Sequence, residues 1–373
     1  MNTTPANTKK KSSKKLIVLV SILCVLALGS GFFYYQQQTE IQKQNEQLLQ
    51  AAAQNMTLPD IPSPLVDLEN FLPNSPEYES DRTFTLNESE FSEKILRNLK
   101  NNVKAQYVVL YDLSTDEILF EKNSLQKCYP ASTTKLLTAV VACRIINDPG
   151  TVITVGNEIE MIGEESSTAG LEKGMMLTFE MLMDALMLPS GNDAAYTMAV
   201  NCARIFQNDN SLSNQEAVEL FVKLMNDAAY QLGAKDSHFI NPDGWHDPGH
   251  YTTAQDLAKI TAYARSIPLI ADSCKKHYVE CKLLRGGMLY WVNTNLMLND
   301  YYKCYSPYCD GMKTGFTDEA GTCVIASAVM EGHNMIAVVM DGSDGYAKYD
   351  DAGLLFRCGF RLYNLYYALA PKT

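Results

Sequence analysis

The amino-acid sequence predicts an α+β domain in which helices flank a single antiparallel sheet. Alternating apolar residues, typical of strands, occur near the start of the folded region at 106–122 and again near its end at 311–341. Between these two groups, apolar residues recur at helical spacing from 178 to 266. Helices that separate two groups of strands are typical of α+β domains, so we expect the terminal strands to combine in one sheet.

The first 35 residues differ from the rest of the chain. Residues 1–15 hold five lysines and no acidic residue, and an uncharged, largely apolar run follows at 16–35. A run of this length can cross a bilayer, and lysines before it place the N-terminus on the cytoplasmic side. We therefore predict a basic cytoplasmic tail (1–15), a single-pass transmembrane anchor (16–35) and an extracytoplasmic remainder. The alternative is a secretory signal peptide cleaved near Gly29, and the anchor is favoured because apolar residues continue beyond that position.

The charge of the remainder excludes one class of partner. The chain has 373 residues, of which 46% are hydrophobic, enough for one or two globular domains. Without residues 1–35, 26 basic and 43 acidic side chains remain, a net charge of −17. A surface this acidic argues against nucleic acid as a partner.

Residues 36–88 are predicted to be a tether between the anchor and the folded domain. Residues 36–56 are rich in Gln, Glu and Ala, as in a helical stalk, and five prolines between 58 and 76 predict an extended spacer. The folded domain is then expected over 89–370.

The elements of this domain can be assigned in order. A helix at 91–100 precedes two strands that a Ser-Thr-Asp turn joins as a hairpin, at 106–111 and 117–122. The next helix carries Ser132, and further amphipathic helices are predicted at 178–188, 193–206, 215–232 and 254–266. Strands return at 288–292, 311–314, 322–330 and 334–341, and a helix at 348–363 closes the domain.

The cysteines leave the disulfide pattern open. Nine remain when Cys24 in the apolar run is set aside, which is an odd number. Cys304 with Cys309, and Cys274 with Cys281, are the candidate pairs for an exported protein, and free thiols are an equally good prediction. A zinc site would need tighter Cys spacing with nearby histidines.

One stretch, YPASTTKLLTA at 129–139, contains an unusual pair of residues. Ser132 and Lys135 lie three positions apart, which places them on one face of a helix. Their neighbours are small and apolar, and a lysine in such surroundings is costly unless it is used. The simpler alternative is that Ser132 is a helix N-cap and that Lys135 extends to solvent.

Three short motifs follow one another along the chain: Ser132-x-x-Lys135, Ser190-Gly-Asn192 and Lys313-Thr314-Gly315. Each is weak alone, but each lies at a predicted element boundary, and their joint order favours catalysis over the N-cap interpretation. This ordered trio, with S-D-N as its second member, is typical of class A β-lactamases and penicillin-binding proteins.

At these residues the chain resembles the serine D-Ala-D-Ala carboxypeptidases, the low-molecular-mass penicillin-binding proteins of the peptidase S11-like family. The likeness extends over residues 105–360 and includes GEESSTAGLEKGMMLTFEMLMDALMLPSGNDAA (163–195), SHFINPDGWHDPGHYTTAQDLAKI (237–260), VNTNLM (292–297) and DGMKTGFTDEAGTCVIAS (310–327). The resemblance implies a β-lactamase/transpeptidase-like fold with a helical subdomain. It also implies peptidoglycan stem peptides as substrates and acylation by β-lactams.

The residue types fit acyl transfer on chemical grounds as well. A serine hydroxyl needs an adjacent base, and Lys135 can act as one if burial and a second cation lower its pKa. Lys313 can supply that cation and attract a substrate carboxylate. Ser190 is placed to relay a proton to the leaving amine, and Asn192 can bond the substrate amide.

The third motif is predicted to lie on an edge strand, where an extended peptide can dock alongside it. Thr314 and Thr317 would help Lys313 to hold the terminal carboxylate, and Gly315 would leave room for close approach. The resemblance implies an oxyanion hole built from the backbone N–H groups of Ser132 and Phe316. It requires no metal or organic cofactor.

Several alternatives stay open at this stage. A β-lactamase would carry a deacylating glutamate, but no E-x-x-L-N follows the second motif, and Glu216 and Glu219 belong to an ordinary helix. A D,D-endopeptidase, or a non-catalytic wall-binding scaffold, is compatible with the same fold.

The acidic and histidine residues of 243–250 are expected to be structural rather than metal ligands. Trp245 is either a packing residue or a sugar platform. Thr294 replaces an arginine that some relatives carry near the substrate carboxylate, so we expect more of its recognition from Lys313 and Thr317.

Overall fold

The computed structural model describes residues 90–363 and 365. The predicted tail (1–15), anchor (16–35) and tether (36–88) lie outside these residues, as does the end of the predicted domain at 370. Within the described part, no helix combines the length and apolar character needed to cross a bilayer.

The described residues form eight α-helices and ten β-strands. The helices are α1 (Glu90–Asn102), α2 (Lys135–Ile145), α3 (Phe179–Met187), α4 (Asn192–Gln207), α5 (Asn214–Gln231), α6 (Ala254–Ser266), α7 (Pro268–Lys275) and α8 (Ala347–Leu362). The strands are β1 (Tyr107–Asp112), β2 (Glu117–Lys122), β3 (Val152–Thr154), β4 (Met176–Thr178), β5 (Tyr278–Lys282), β6 (Met288–Val292), β7 (Cys309–Gly311), β8 (Thr314–Thr317), β9 (Gly321–Met330) and β10 (His333–Gly342).

The main sheet joins the first two strands to the last four, as the sequence predicts. Its order is β2-β1-β10-β9, and β7 and β8 both pair with the far side of β9. All pairings are antiparallel, with Val109 opposite Val338 in β10 and Val338 opposite Ile325 in β9. The strands β3 and β4, and β5 and β6, form two separate hairpins.

Both faces of the sheet are covered by helices. Val108 and Leu110 point toward the cluster that contains the buried side chains of α8, whereas Val109 and Tyr111 belong to the larger cluster with α2–α7. Successive strand residues face opposite sides, so burial on both faces explains the near-continuous apolar pattern of β1, β9 and β10. The sheet is therefore the central layer of the domain.

The helical subdomain lies on the second face, around α2. This helix is apolar on all sides, and its first eight residues, from Lys135 to Ala142, are buried. A helix with this composition requires partners on every side, and α3, α4, α5 and α6 supply them. The N-terminus of α2 is thereby fixed at the junction between the helices and the sheet.

Two details differ from the expected elements. The predicted strand at 311–314 is in fact two strands, β7 and β8, because Gly311 (φ 118°) and Met312 (φ 83°) have left-handed backbones that interrupt the ladder. The structure also contains β3, β4, β5 and α7, which the sequence patterns did not predict. The three-residue strands β3 and β4 are too short to give a clear period.

The cysteines are not paired. All nine in the described residues are free thiols, including Cys304, Cys309, Cys274 and Cys281, so neither candidate disulfide forms. Each member of these pairs is buried in the hydrophobic core.

Candidate active site

The three motifs line one cavity between the helical subdomain and the sheet. Its volume is about 590 Å³. Predicted residues on its wall are Ser132, Ser190, Asn192, Thr314, Gly315, Phe316 and Thr317. The two lysines of the motifs are fully buried behind this wall.

Ser132 is presented by a tight turn rather than by a helix cap. It lies in a 3₁₀ turn, Ala131–Thr134, and the N-cap position of α2 is Thr134, without a side-chain capping bond. Ala131 has a left-handed backbone (φ 48°), which is uncommon for a residue with a Cβ. Behind the turn, a Cβ at Gly244 would lie 1.8 Å from the Ala131 carbonyl oxygen, so only glycine fits there. The N-cap interpretation of Ser132 is wrong.

Lys135 is a buried amine held by three acceptors. Its Nζ donates to Ser132 Oγ (2.9 Å), to Asn192 Oδ1 (2.7 Å) and to the backbone carbonyl of Asp243 (2.8 Å). Burial lowers the pKa of Lys135 to about 8, although the negative charges of Asp243 and Asp193 act in the opposite direction. A substantial neutral fraction is thus present near physiological pH, in hydrogen-bond contact with the serine.

Ser190 faces the same cavity from the turn before α4. Its backbone is left-handed (φ 62°), and its Oγ is buried without a hydrogen-bond partner among the described residues. Strain and an unpaired buried hydroxyl each have a free-energy cost, of about 1–3 kcal/mol, and such residues cluster at functional sites. The backbone is held by Ser167, whose Oγ donates to the Ser190 carbonyl (2.8 Å).

Asn192 links two sides of the cavity. Its Oδ1 accepts from Lys135, and its Nδ2 donates to Ser166 Oγ (3.0 Å). The sequence analysis assigned this amide to the substrate, whereas here both of its ends have partners within the protein. The adjacent Asp193 fixes the 166–171 segment, because its carboxylate accepts from the backbone N–H groups of Ala169 and Leu171.

Lys313 is the second buried amine. Its Nζ donates to the carbonyl of Thr314 (3.0 Å) and its side chain is fully buried. Burial, together with the nearby cations Lys135 and Lys348, lowers the pKa of Lys313 well below its ordinary value. For Lys135, the lowering comes from burial and not from Lys313, the second cation that was expected to contribute.

The strand β8 directs backbone groups toward the cavity, and one of them, the Thr314 carbonyl, also accepts from Lys313 Nζ. Lys313 exchanges two hydrogen bonds with Ile325 of β9 (3.0 and 2.8 Å). Since antiparallel ladders alternate, the N–H and carbonyl groups of Thr314 and Phe316 point away from β9. The edge position predicted for the third motif is confirmed, with Lys313 just before the strand.

The side chains of β8 are arranged closely around the serine turn. A Cβ at Gly315 would lie 3.1 Å from the Ser132 nitrogen, so the glycine permits this approach. Thr314 Oγ1 lies 2.6 Å from Thr294 Oγ1, and Thr317 Oγ1 accepts from the Ala320 N–H (3.0 Å). The Phe316 side chain is exposed at the rim.

Two buried charged residues line the cavity: Lys348, which the sequence analysis did not indicate, and Asp243, which was expected only as part of a structural loop. Lys348, on α8, is only 9% exposed, and no described carboxylate forms an ion pair with it. Burial lowers its pKa. Asp243 is 1% exposed and its Oδ2 has no described hydrogen-bond partner, while burial raises the pKa of its carboxyl group. Neither residue belongs to a short motif. The only indication in the sequence is that Lys348 has apolar neighbours in its helix, which is consistent with burial.

The remaining candidates have structural contacts. His250 is buried, with Nε2 2.9 Å from Thr134 Oγ1 and Nδ1 accepting from the Ile240 N–H. His246 lies 3.7 Å from Glu319, and Trp245 covers Gly163 at the rim, 41% exposed. No group of three potential metal ligands occurs in the described chain. Glu216 caps α5 through Ser213, and Glu219 accepts from Gln215, its neighbour on the same helix.

Comparison with known proteins identifies the family. The model of the family Peptidase S11, D-alanyl-D-alanine carboxypeptidase, matches residues 94–344, which include all three motifs. The chain belongs to peptidase family S11. The resemblance inferred from the motifs is confirmed.

Individual S11 relatives agree with this assignment. D-alanyl-D-alanine carboxypeptidase DacF of Bacillus subtilis is 31% identical over 244 residues, 64% of this chain and 58% of its own length. DacD of Escherichia coli is 33% identical over 259 residues, 67% of this chain and 62% of its own. The chain thus spans about three fifths of the length of these curated relatives.

A solved structure supports the fold. The crystal structure of the Streptomyces K15 DD-transpeptidase superposes with a TM-score of 0.63 at 28% identity, over 69% of this chain and 98% of that one. The predicted transpeptidase-like α+β fold, with an antiparallel sheet and a helical subdomain, is confirmed.

Proposed function

We propose that the protein is an exported serine D-Ala-D-Ala carboxypeptidase that removes the terminal D-Ala from peptidoglycan stem pentapeptides. The observation that carries the proposal is the 2.9 Å hydrogen bond between Lys135 Nζ and Ser132 Oγ, in a cavity that the other two motifs complete. A nucleophile in contact with a base whose pKa lies near neutrality is the arrangement that acyl transfer requires.

In the proposed reaction, the acyl-enzyme forms first. Neutral Lys135 accepts the Ser132 proton while Oγ bonds to the carbonyl carbon of the penultimate D-Ala. The oxyanion is stabilised by the N–H groups of Ser132 and Phe316, and such donors are worth about 3–4 kcal/mol each. The C–N bond then breaks, and the proton passes through Ser190 to the leaving D-Ala amine. The unpaired Ser190 Oγ supports this relay.

Hydrolysis of the ester completes the cycle. Water attacks the acyl carbon with Lys135 as base, and Ser132 regains its proton. No metal or organic cofactor takes part in any step.

Substrate recognition is assigned to the opposite wall. The extended stem peptide would pair with the free edge of β8 at Thr314 and Phe316, and its carboxylate would meet Lys313 and the hydroxyls of Thr314 and Thr317. Lys348 is a second cation for that carboxylate. An approaching carboxylate raises the pKa of Lys313 and so opposes the effect of burial on this amine.

We also propose that the domain lies outside the cell and is held by the 16–35 segment as a single-pass anchor. The uncharged run preceded by five lysines supports this placement. β-Lactams, which mimic D-Ala-D-Ala, are the expected inhibitors.

A paired assay tests the proposal. The protein is incubated with labelled penicillin, and D-Ala release is measured from a diacyl-D-Ala-D-Ala peptide. Ser132→Ala should abolish both signals, while the control Ser211→Ala, at an exposed serine before α5, should leave them unchanged. Rapid penicillin turnover would indicate a β-lactamase, and cleavage only of cross-linked peptides a D,D-endopeptidase. No labelling at all would indicate a non-catalytic scaffold.

A further inference from the structure

The hairpin of β5 and β6 exposes an apolar face. In the register of this ribbon, Tyr278 pairs with Val292, Glu280 with Tyr290 and Lys282 with Met288. These six side chains share one side, because directly opposed residues of an antiparallel pair point the same way. Four of them are apolar or aromatic and exposed: Tyr278 (61%), Tyr290 (66%), Val292 (58%) and Met288 (45%).

The other side of the hairpin is firmly attached to the domain. Cys281 and Trp291 are each 3% exposed, and Trp291 Nε1 donates to the carbonyl of Ala169 (2.8 Å). The exposed face is therefore not that of a poorly packed strand pair. Its inward residues fix the orientation of the outward ones, so the apolar stripe is held toward solvent.

The segment that carries this face has an excess of basic residues, unlike the whole protein. Residues 275–292 contain four basic side chains and one acidic one, whereas the complete chain has a net charge of −12. Glu280 lies beside Lys282 on the exposed face, and Lys276 forms ion pairs with Asp184 and Glu180. The basic excess therefore comes from Lys275, before the hairpin, and from Arg285, which lies with Leu284 (42% exposed) in the loop that joins the strands. Tyrosines and aliphatic side chains flanked by lysines are typical of surfaces that contact the headgroup region of a bilayer.

We infer that this hairpin face is a docking surface for an anionic phospholipid bilayer. Lysines near an anionic membrane are attracted by its surface potential, and the tyrosine rings then reach the interface with their hydroxyls in water. The inference is independent of the catalytic assignment, and it places Thr294, two residues after β6, close to the membrane side of the domain.

Fluorescence quenching with the full chain tests this contact. The chain has two tryptophans, Trp245 and Trp291, and Tyr290→Trp adds a reporter at the centre of the face. Tyr230→Trp on α5 is the matched control, since Tyr230 and Tyr290 are both 66% exposed. Each variant is mixed with vesicles of brominated phosphatidylglycerol or brominated phosphatidylcholine, and emission is compared with that in unbrominated vesicles.

The expected result is specific to one variant and one lipid. Brominated phosphatidylglycerol should quench about half of the emission added by Tyr290→Trp and leave that added by Tyr230→Trp unchanged, because bromine quenches only within contact range of the bilayer. Adding Lys275→Glu and Lys282→Glu should weaken vesicle partitioning of the hairpin at least about tenfold, given the contribution of each lysine.

Three outcomes would overturn the inference. Equal quenching of the two reporters would mean that the hairpin is no closer to lipid than α5 is. Equal quenching in both lipids, unaffected by the lysine changes, would exclude attraction to anionic headgroups. Absence of quenching, with a concentration-dependent dimer that Tyr290→Ser abolishes, would identify the face as a contact between two copies.

Discussion

The protonation state of Lys135 governs how fast Ser132 can be acylated, and pH is the direct way to change it. With a pKa of about 8, roughly one tenth of Lys135 is neutral at pH 7, about half at pH 8 and about nine tenths at pH 9. Because only the neutral amine can accept the serine proton, the acylation rate should rise about tenfold between pH 7 and pH 9.

The assay has to separate Lys135 from Lys313. A penicillin methyl ester lacks the carboxylate that Lys313 would hold, so its second-order rate constant of acylation, followed by intact mass, reports Lys135 in the free enzyme. Asp243→Asn removes a negative charge that raises the pKa of Lys135 but keeps the backbone carbonyl acceptor, so the midpoint should move to lower pH. A rate independent of pH from 7 to 9, or a midpoint that moves upward in Asp243→Asn, would refute Lys135 as the base.

Three further predictions concern the surroundings of the site. Lys348→Met should raise KM for a diacyl-D-Ala-D-Ala peptide about tenfold (~1.4 kcal/mol) with little change in kcat. It should leave KM for the C-terminal amide analogue unaltered. An equal effect on both peptides would contradict a contact between Lys348 and the substrate carboxylate. Gly315→Ala should slow acylation at least about tenfold, because the added Cβ would lie 3.1 Å from the Ser132 nitrogen. Its thermal unfolding midpoint should stay close to that of the parent protein. Unchanged acylation would show that the serine turn can shift to accommodate the Cβ. Burial lowers the pKa of His250 to about 3, below its unfolded value, so the unfolded chain binds more protons as pH falls from about 6.5 toward 3, and stability is lost over that window. The free energy of unfolding, measured in urea, should therefore fall by about 2 kcal/mol between pH 6.5 and pH 5. Its dependence on pH should be shallower in His250→Asn, and an identical dependence would assign the loss to other groups.

Much of the site could be predicted because its chemistry is encoded locally. Ser132 and Lys135 are three residues apart, so their proximity follows from spacing even though Ser132 lies in the 3₁₀ turn and Lys135 begins α2. The strand pattern around Lys313 is regular as well. Ser190 and Asn192 lie in a turn between two clearly amphipathic helices, which made their position equally clear. The sheet was predictable for a similar reason, because its long strands carry an unambiguous apolar pattern.

The parts that escaped prediction depend on contacts between distant segments. The third acceptor of Lys135 is a carbonyl 108 residues away along the chain, in a loop without a periodic pattern. Lys348 reaches the cavity only because α8 packs on the sheet against β9 and β10. The interruption at Met312 also has no sequence signal, since a left-handed backbone is uncommon for methionine.

The free thiols bear on how the domain is stabilised. Burial raises the pKa of Cys281, Cys304 and Cys323 to about 11, so little thiolate exists at neutral pH, and thiolate is the form that reacts with oxidants and disulfides. Within the described residues, the fold is therefore stabilised by core packing instead of covalent cross-links. The same thiols provide a reporter that needs no engineering: their modification by an alkylating reagent reads out how often the core opens.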